Sequence, residues 1–311
     1  MTWSTAQIPD LSGRWAMVTG ASSGLGHHVT RELAHAGAAV VMAGRDLDRL
    51  AVSADLVRRG VPAADLHIVS LDLADLAAVH RTAEQVLEGY DHLDLLVDNA
   101  GVMATPERKT ADGFELQIGT NHLGHFALTG LLLPALLASP HGARVVVTSS
   151  VAHRTVSGID LDSLVAGADT RPYRKWRAYG ESKLANLLFM LELERRAAAE
   201  DLALLSVAAH PGYAATELQT SGPAMGGATV GSRLMSLANK VVAQPADHGA
   251  WPLLLAATQP GLPGGSYVGP GGPGETRGRP RLVGMSAAAS DPGLARAVWV
   301  ASEAATGVTW P

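Results

Sequence analysis

Tyr179 and Lys183 stand four positions apart in Tyr179-Gly-Glu-Ser-Lys183. On a helix that interval sets a phenol and an ammonium on one face, a single turn apart. Far upstream, Thr19-Gly-Ala-Ser-Ser-Gly-Leu-Gly26 falls where a buried run gives way to a helical pattern. Gly20, Gly24 and Gly26 allow a sharp turn and a close approach to a pyrophosphate, and the helix start behind them offers N–H groups and a positive dipole end. The spacing is Gly-x3-Gly-x-Gly rather than the commoner Gly-x-Gly-x-x-Gly, so the strand–turn–helix context carries the reading of a dinucleotide site. Beside a nicotinamide, Tyr179 would be the proton donor of a hydride transfer. Moving its pKa from near 10 to about 7 takes roughly 4 kcal/mol of preferential phenolate stabilisation. An ammonium about 5 Å away, at an effective dielectric near 20, supplies on the order of 3 kcal/mol, and an oxidised nicotinamide would add the rest.

The elements needed to position these groups recur along the chain. Buried runs Trp15–Thr19, Ala39–Ala43, His67–Leu71, Leu93–Val97, Arg144–Thr148 and Leu204–Ala208 alternate with helical patterns. The helices are expected over Gly24–His35, Asp46–Arg59 and about 75–89, 112–137, 177–199 and 245–258. Apolar strands that each return through a helix predict an α/β fold, a Rossmann-type doubly wound parallel sheet of about seven strands covered on both faces. Gly264–Val268 reads as a last short strand. The chain is therefore expected to be one domain over 1–311, with a core of about 12–270 and a C-terminal extension from 271.

The end of the second strand selects the nucleotide. An NAD site places an acid there, about 20 residues past the glycines. Here Gly44 and Arg45 occupy it, and a guanidinium matches a 2′-phosphate. NADP(H) is expected in preference to NAD(H), with Asp46 as the N-cap of the next helix.

Bulk properties narrow the partners. The 311 residues carry 24 Lys plus Arg against 29 Asp plus Glu, a formal charge of -5, which argues against a nucleic-acid partner. The run Arg171, Arg174, Lys175 and Arg177 reads as a solvated loop. There is no cysteine, which excludes disulfides and thiolate chemistry and fits a reducing cytoplasm. No signal peptide and no membrane span are visible. His122 and His125 lack a third spaced ligand, so helix packing or hydrogen bonding is expected of them and no metal. Tyr173 is ten positions before Lys183 and out of phase with it. Of Ser149 and Ser150, adjacent at a strand end, only one can face the site.

Taken together, Thr19–Gly26, Asn99-Ala-Gly101, Ser150, Tyr179-x3-Lys183 and Pro211-Gly212 resemble the short-chain dehydrogenase/reductase family over about residues 12–270. Thr120-Asn-His-Leu-Gly-His-Phe126, Ser149-Ser-Val-Ala-His153 and His210-Pro-Gly212 are similar to the branch of retinol dehydrogenases, the WW-domain oxidoreductase and light-dependent protochlorophyllide reductases. The resemblance implies a catalytic set of Asn121, Ser150, Tyr179 and Lys183. Ser150 would clamp the substrate oxygen, Lys183 would also hold the nicotinamide ribose, and Asn121 would kink its helix and hold a relay water. For the cofactor it implies Gly20, Ser22, Ser23, Gly24, Leu25 and Gly26, with Asp72 and Leu73 at the adenine. Asn99, Ala100 and Gly101 would lie under the adenosine ribose, with Pro211, Gly212 and Thr216 over the carboxamide. It also implies a homodimer or homotetramer through helices 112–137 and 177–199. Two departures stand out. Asp98 replaces the first asparagine of Asn-Asn-Ala-Gly, and a carboxylate only accepts hydrogen bonds. The cysteine of the pigment reductases is missing, which lowers that reading.

An NADP(H)-dependent reductase of an apolar ketone or aldehyde, or the reverse alcohol dehydrogenase, is the expected activity. Reduction of a C=C or C=N bond is the alternative within enzymes, and a non-catalytic NADP(H) sensor the alternative outside them. The stretch from Thr216 to about Gln244, rich in glycine and methionine, is expected to be a substrate lid.

Overall fold

The computed structural model describes residues 3–168, 171–213 and 245–310. Its centre is an eight-stranded sheet in the order β3-β2-β1-β4-β5-β6-β7-β8. The strands are β1 (Trp15–Thr19), β2 (Ala39–Gly44), β3 (Leu66–Ser70), β4 (Leu95–Asp98), β5 (Ala143–Thr148), β6 (Leu204–Ala209), β7 (Tyr267–Pro270) and β8 (Pro280–Leu282). The first seven run parallel. An antiparallel β8, absent from the sequence expectation, pairs Val268 with Leu282 at the edge.

Alternation along the strands builds two cores. Met17 and Val41 face one side of the sheet, while Ala16, Val18, Val40 and Met42 face the other, all fully buried. The second side is covered by α1 (Gly24–His35), α2 (Leu47–Gly60) and α8 (Ala246–Thr258). The first is covered by α3 (Leu76–Gly89), α5 (Gly124–Leu131) and α7 (Lys175–Ala199). Aspartates start the amphipathic helices: Asp46 accepts from Arg49 N at 3.0 Å and Asp75 from Ala78 N at 3.1 Å.

The helix expected over 112–137 is broken. A single turn α4 (Leu116–Ile118) leads into a π-helical turn, Gly119–Leu123, then α5 and, past Leu132, α6 (Leu133–Leu137). Close backbone approach explains the path. A Cβ at Gly124 would lie 2.5 Å from the Leu73 carbonyl oxygen, and one at Gly119 2.4 Å from Thr110 Cγ2. The last parallel strand starts at Tyr267 rather than Gly264, because Gly265 turns with a left-handed φ of +71°.

The extension after β7 is structured. Asp291 caps α9 (Pro292–Thr306) through Gly293 N and Leu294 N, and Gly307 ends it at φ +69°. Trp299 of α9 is 1% exposed among Phe126, Phe189 and Trp310, with the Arg196 guanidinium 4.4 Å over its ring. A Cβ on Gly130 would lie 2.7 Å from Val308 Cγ1. Phe126 and Gly130 of α5 and Phe189 of α7, on the helices assigned by resemblance to a partner copy, are thus covered by the chain's own C-terminal residues. Among the described residues, no helix is long and apolar enough to cross a membrane.

Trp299→Ala should cost about 3–5 kcal/mol, the usual penalty for truncating a buried aromatic. Urea denaturation followed by circular dichroism measures it, and a loss under about 1 kcal/mol would mean α9 is only loosely docked.

Candidate active site

β1 and β4 are neighbours in space, with the chain leaving the sheet in opposite directions on either side of them. A crevice opens at their carboxyl ends. Thr19 closes β1 there. Its hydroxyl accepts from Asn99 N and Ala100 N, both at 2.9 Å, and Asn99 Nδ2 donates to Thr19 O at 2.7 Å. Gly20 then turns with φ +68°, and a Cβ on it would lie 3.0 Å from Ala100 Cα. A Cβ on Gly26 would strike the Gly20 oxygen at 2.3 Å, so this glycine lets α1 pack against the turn.

A groove of about 270 Å³ follows. It is lined by Gly20, Ser22, Ser23, Gly24 and Leu25 from the first turn, Arg45 after β2, Asp72 and Leu73 after β3, and Asn99, Ala100 and Gly101 after β4. Gly26 does not line it. Ser23, the N-cap of α1, makes no side-chain cap bond, unlike Asp46, Asp75 and Asp291 at the starts of α2, α3 and α9. Arg49 also lines the groove and was not singled out in the sequence. Its four-residue interval from Arg45, one helical turn, is the signal that would have found it.

At the far end of the groove the Tyr179–Lys183 helix arrives. A Cβ on Gly101 would lie 3.0 Å from Asn121 Oδ1 and 3.7 Å from Lys183 Nζ, which puts all three in one place. Lys183 Nζ donates to Thr148 O at 3.0 Å and sits 5.9 Å from the centre of the Tyr179 ring. The Ser150 hydroxyl, which accepts from Ala152 N at 3.2 Å, is near enough to the Tyr179 phenol to lower its pKa. Ser149, by contrast, donates to the Lys183 carbonyl at 2.8 Å and faces away. Asn121 sits in the π turn. Its carboxamide accepts from Val102 N at 2.7 Å and donates to Val102 O and Ser182 Oγ, each at 2.9 Å. Tyr173 lies elsewhere, hydrogen-bonded to Gln117 and the Thr105 carbonyl.

Electrostatics differ from the sequence expectation. Burial raises the Tyr179 phenol above its ordinary value, with the nearby Ser150 hydroxyl opposing, and burial pushes the Lys183 ammonium down to about 8. The protein groups alone therefore keep Tyr179 protonated at neutral pH. The basic run also differs. Arg171 and Arg177 both pair with Glu181, a buried carboxylate inside the Tyr179–Lys183 interval, and Lys175 and Arg177 belong to α7 rather than to a loop, with Arg177 still 51% exposed.

His122 and His125 form hydrogen bonds. His122 Nε2 meets Ser302 Oγ at 2.8 Å. His125 Nδ1 donates to the Asn121 carbonyl at 3.1 Å, leaving Nε2 to accept from the Thr19 hydroxyl at 2.9 Å. Among the described residues, no group of three side chains could hold a metal. Pro211 and Gly212 follow β6, with Gly212 at φ +67° and its N–H on His210 Nδ1. Thr216 and the expected lid to Gln244 lie outside the described residues.

The short chain dehydrogenase family profile matches residues 14–159. Retinol dehydrogenase 13 of Homo sapiens is 41% identical over 216 residues, 69% of this chain and 62% of that protein. The chain thus spans less than two thirds of that relative's length. Polyprenol dehydrogenase of Mus musculus is 40% identical over 266 residues, 84% of this chain and 77% of that one. The chain belongs to the short-chain dehydrogenase/reductase family. Within it, the likeness is to the retinol dehydrogenase branch. Among solved structures, an uncharacterized protein from Mycobacterium paratuberculosis superposes with a TM-score of 0.80 at 42% identity, covering 100% of both chains. The Pseudomonas aeruginosa RhlG/NADP active-site complex superposes at 0.63 with 25% identity, over 83% of this chain and 94% of that one.

Asp98, directly before the Asn99 turn, is 1% exposed. Thr129 Oγ1 donates to its Oδ2 at 3.0 Å, while Oδ1 has no partner among the described residues. Burial raises its pKa to about 8, so at neutral pH it is a protonated acid and the expected acceptor-only carboxylate does not apply. Between the ordinary carboxylate range and pH 8, the folded chain holds a proton that the unfolded chain releases, so stability falls as pH rises through that window. Asp98→Asn removes the titration. It should stabilise the fold, by at least about 1 kcal/mol more at pH 8 than at pH 5. Urea midpoints at the two pH values decide it, and an equal effect at both would mean Asp98 is not buried neutral.

Proposed function

We propose that the chain is an NADP(H)-dependent oxidoreductase that reduces an apolar ketone or aldehyde to an alcohol, or runs the reverse reaction, with Tyr179 as general acid and base. One observation carries this: Lys183 Nζ lies 5.9 Å from the centre of the Tyr179 ring and meets Asn121 where the groove ends at Gly101.

The groove fits a dinucleotide. Gly20 and Gly24 turn the backbone at positive φ, and the side-chain-uncapped start of α1 suits a pyrophosphate. Ser22 to Leu25 would hold that group, Asp72 and Leu73 the adenine, and Asn99 to Gly101 the adjoining ribose. Arg45, directly after β2, would take the 2′-phosphate with help from Arg49 on the same groove wall, where Asp46 is occupied as the N-cap of α2. Solved relatives titled as complexes with NADP and NADPH support the same nucleotide.

A bound nicotinamide supplies the hydride. In the reducing direction the Tyr179 O–H gives its proton to the substrate oxygen, and the Ser150 hydroxyl donates a hydrogen bond to that oxygen. The buried phenol is protonated at neutral pH, as a donor must be. Lys183 then stabilises the tyrosinate, and Asn121 holds Val102 and Ser182 in register behind it. The exposed ring of Trp176, 6.4 Å from that of Tyr179, offers apolar surface to the substrate. Relatives named for retinol and polyprenol favour an apolar alcohol or carbonyl over a polar one.

NADPH oxidation against a panel of ketones, aldehydes, quinones and enones tests the reading. Turnover of enones alone would move it to C=C reduction, and no turnover with tight NADPH binding would move it to a sensor. Tyr179→Phe should lower kcat by at least about 10²-fold with NADPH affinity nearly unchanged, since general acid catalysis is typically worth 10²–10⁴-fold. A variant keeping a tenth of the activity would rule Tyr179 out as the donor.

Arg45→Ala should weaken NADPH by about ten- to a hundredfold, matching the loss of a charge-assisted phosphate contact, with NADH little affected. Fluorescence titration of both nucleotides gives the two constants. Equal losses would show that Arg45 does not read the 2′-phosphate.

A further inference from the structure

Three histidines stand beside the three loops that carry the site, and each is tied to the C-terminal extension. His122, next to Asn121, donates through Nε2 to Ser302, whose own proton goes to Val298 O. His153, three residues past Ser150, donates Nδ1–H to the Ser150 carbonyl at 2.6 Å and accepts from Ser286 N at 3.3 Å. His210, directly before Pro211, accepts from Gly212 N through Nδ1 and donates Nε2–H to Glu275 Oε2 at 3.0 Å.

All three rings are at most 1% exposed, and burial lowers each pKa, so they stay neutral with their tautomers set by these partners. The Glu275 tie is the most elaborately built. Glu275 is not a glycine yet holds a φ of +54°, just after Gly274 at +60°. An L-residue is held there only against its conformational preference. Its other oxygen accepts from Arg154 Nη2 at 3.0 Å, and the same Arg154 atom donates to Gly284 O at 2.7 Å. Gly269 is needed too, since a Cβ there would fall 2.0 Å from His210 Nε2. Tyr213 N donates to Thr276 O at 2.7 Å, so the turn Pro211–Tyr213 rests directly on the Glu275 loop.

We propose that the extension, residues 271–310, is a positioning frame for the active site, and that Glu275 is the positioning residue for the Pro211–Tyr213 turn. The frame rests on the reductase reading for its effect on turnover, but its ties can be read without turnover. Glu275 touches neither Tyr179 nor Ser150; it acts through His210 on the turn after β6 and through Arg154 on the segment after Ser150.

The test compares Glu275→Ala, Glu275→Gln and Ser302→Ala in the full chain. Amide exchange is followed by mass spectrometry at 210–213, with β5 as the internal reference. Glu275→Ala should speed exchange at Gly212 and Tyr213 about tenfold or more without changing β5, a local opening rather than a global one. Glu275→Gln should restore it, because the amide oxygen still accepts from His210. With NADPH and a carbonyl substrate from the panel, Glu275→Ala and Ser302→Ala should each lower kcat about tenfold or more, the scale of a small misplacement of reacting groups. NADPH affinity should fall by less than about tenfold, because the ties reach only the Pro211–Gly212 turn at the nicotinamide end and none of the groove residues at the pyrophosphate, adenine or 2′-phosphate. Faster exchange with wild-type kcat would make the tie merely structural and overturn the proposal, as would unchanged exchange in Glu275→Ala. A wild-type chain that turns over no carbonyl would overturn the reductase reading instead, while the exchange result would still decide the tie.

Discussion

The hydroxyl of Thr19 is the point on which the rest depends. It sits at the end of β1 where strand order reverses, and four groups converge on it: Asn99 N, Ala100 N, His125 Nε2 and, at 3.3 Å, Val97 O. Two backbone donors point at its oxygen, so its single proton must go elsewhere, and His125 takes it at the shorter distance. That choice fixes the imidazole tautomer and sends the other ring N–H to the Asn121 carbonyl. The glycine turn, the Asn99–Gly101 turn and the π turn are thereby held by one threonine. A valine of the same shape would leave the Ala100 N–H and a His125 ring nitrogen without partners, while Asn99 N would keep only the Val97 carbonyl at 2.9 Å.

Burial then decides the protonation states around this junction. Lys183, Tyr179, His125 and Asp98 all lie in the interior, and desolvation moves each toward its neutral form. For Tyr179 that is the form its proposed role as proton donor needs. For His125 it preserves the lone pair that accepts from Thr19. The aspartate is different, because its neutrality serves no visible role in the site and stands as a cost to the fold at alkaline pH.

Much of this was legible in the residues, for identifiable reasons. Apolar runs such as Ala39–Ala43 are continuous because both sheet faces are covered, and in the first turn Gly20 and Gly26 are forced by contacts of 3.0 Å or less and Gly24 by a φ of +53°. Asp46 as an N-cap follows from local chemistry and is seen. What escaped was long-range. Asp291-Pro292 and Gly307 are start and stop signals for α9, yet nothing local says that the helix covers Phe126 and Phe189. The π turn was legible only by resemblance, because no local rule marks Asn121 as distinct from its neighbours. Nor could Arg171 and Arg177 be seen as partners of Glu181, since an exposed charge run and a buried ion pair are spelled alike.

The extension also has a temporal meaning. The hydrogen bond from His122 to Ser302 spans 180 residues, and that from His153 to Ser286 spans 133. Contacts so distant in sequence form only after both partners have been synthesised and the loop between them has closed. On a ribosome, strands β1 to β4 and their nucleotide groove can assemble while the extension is still unmade. The reaction site, framed from behind by residues past 270, must wait for it. A nascent chain of this protein would therefore acquire its proposed dinucleotide groove well before it acquires an ordered place for the proposed chemistry.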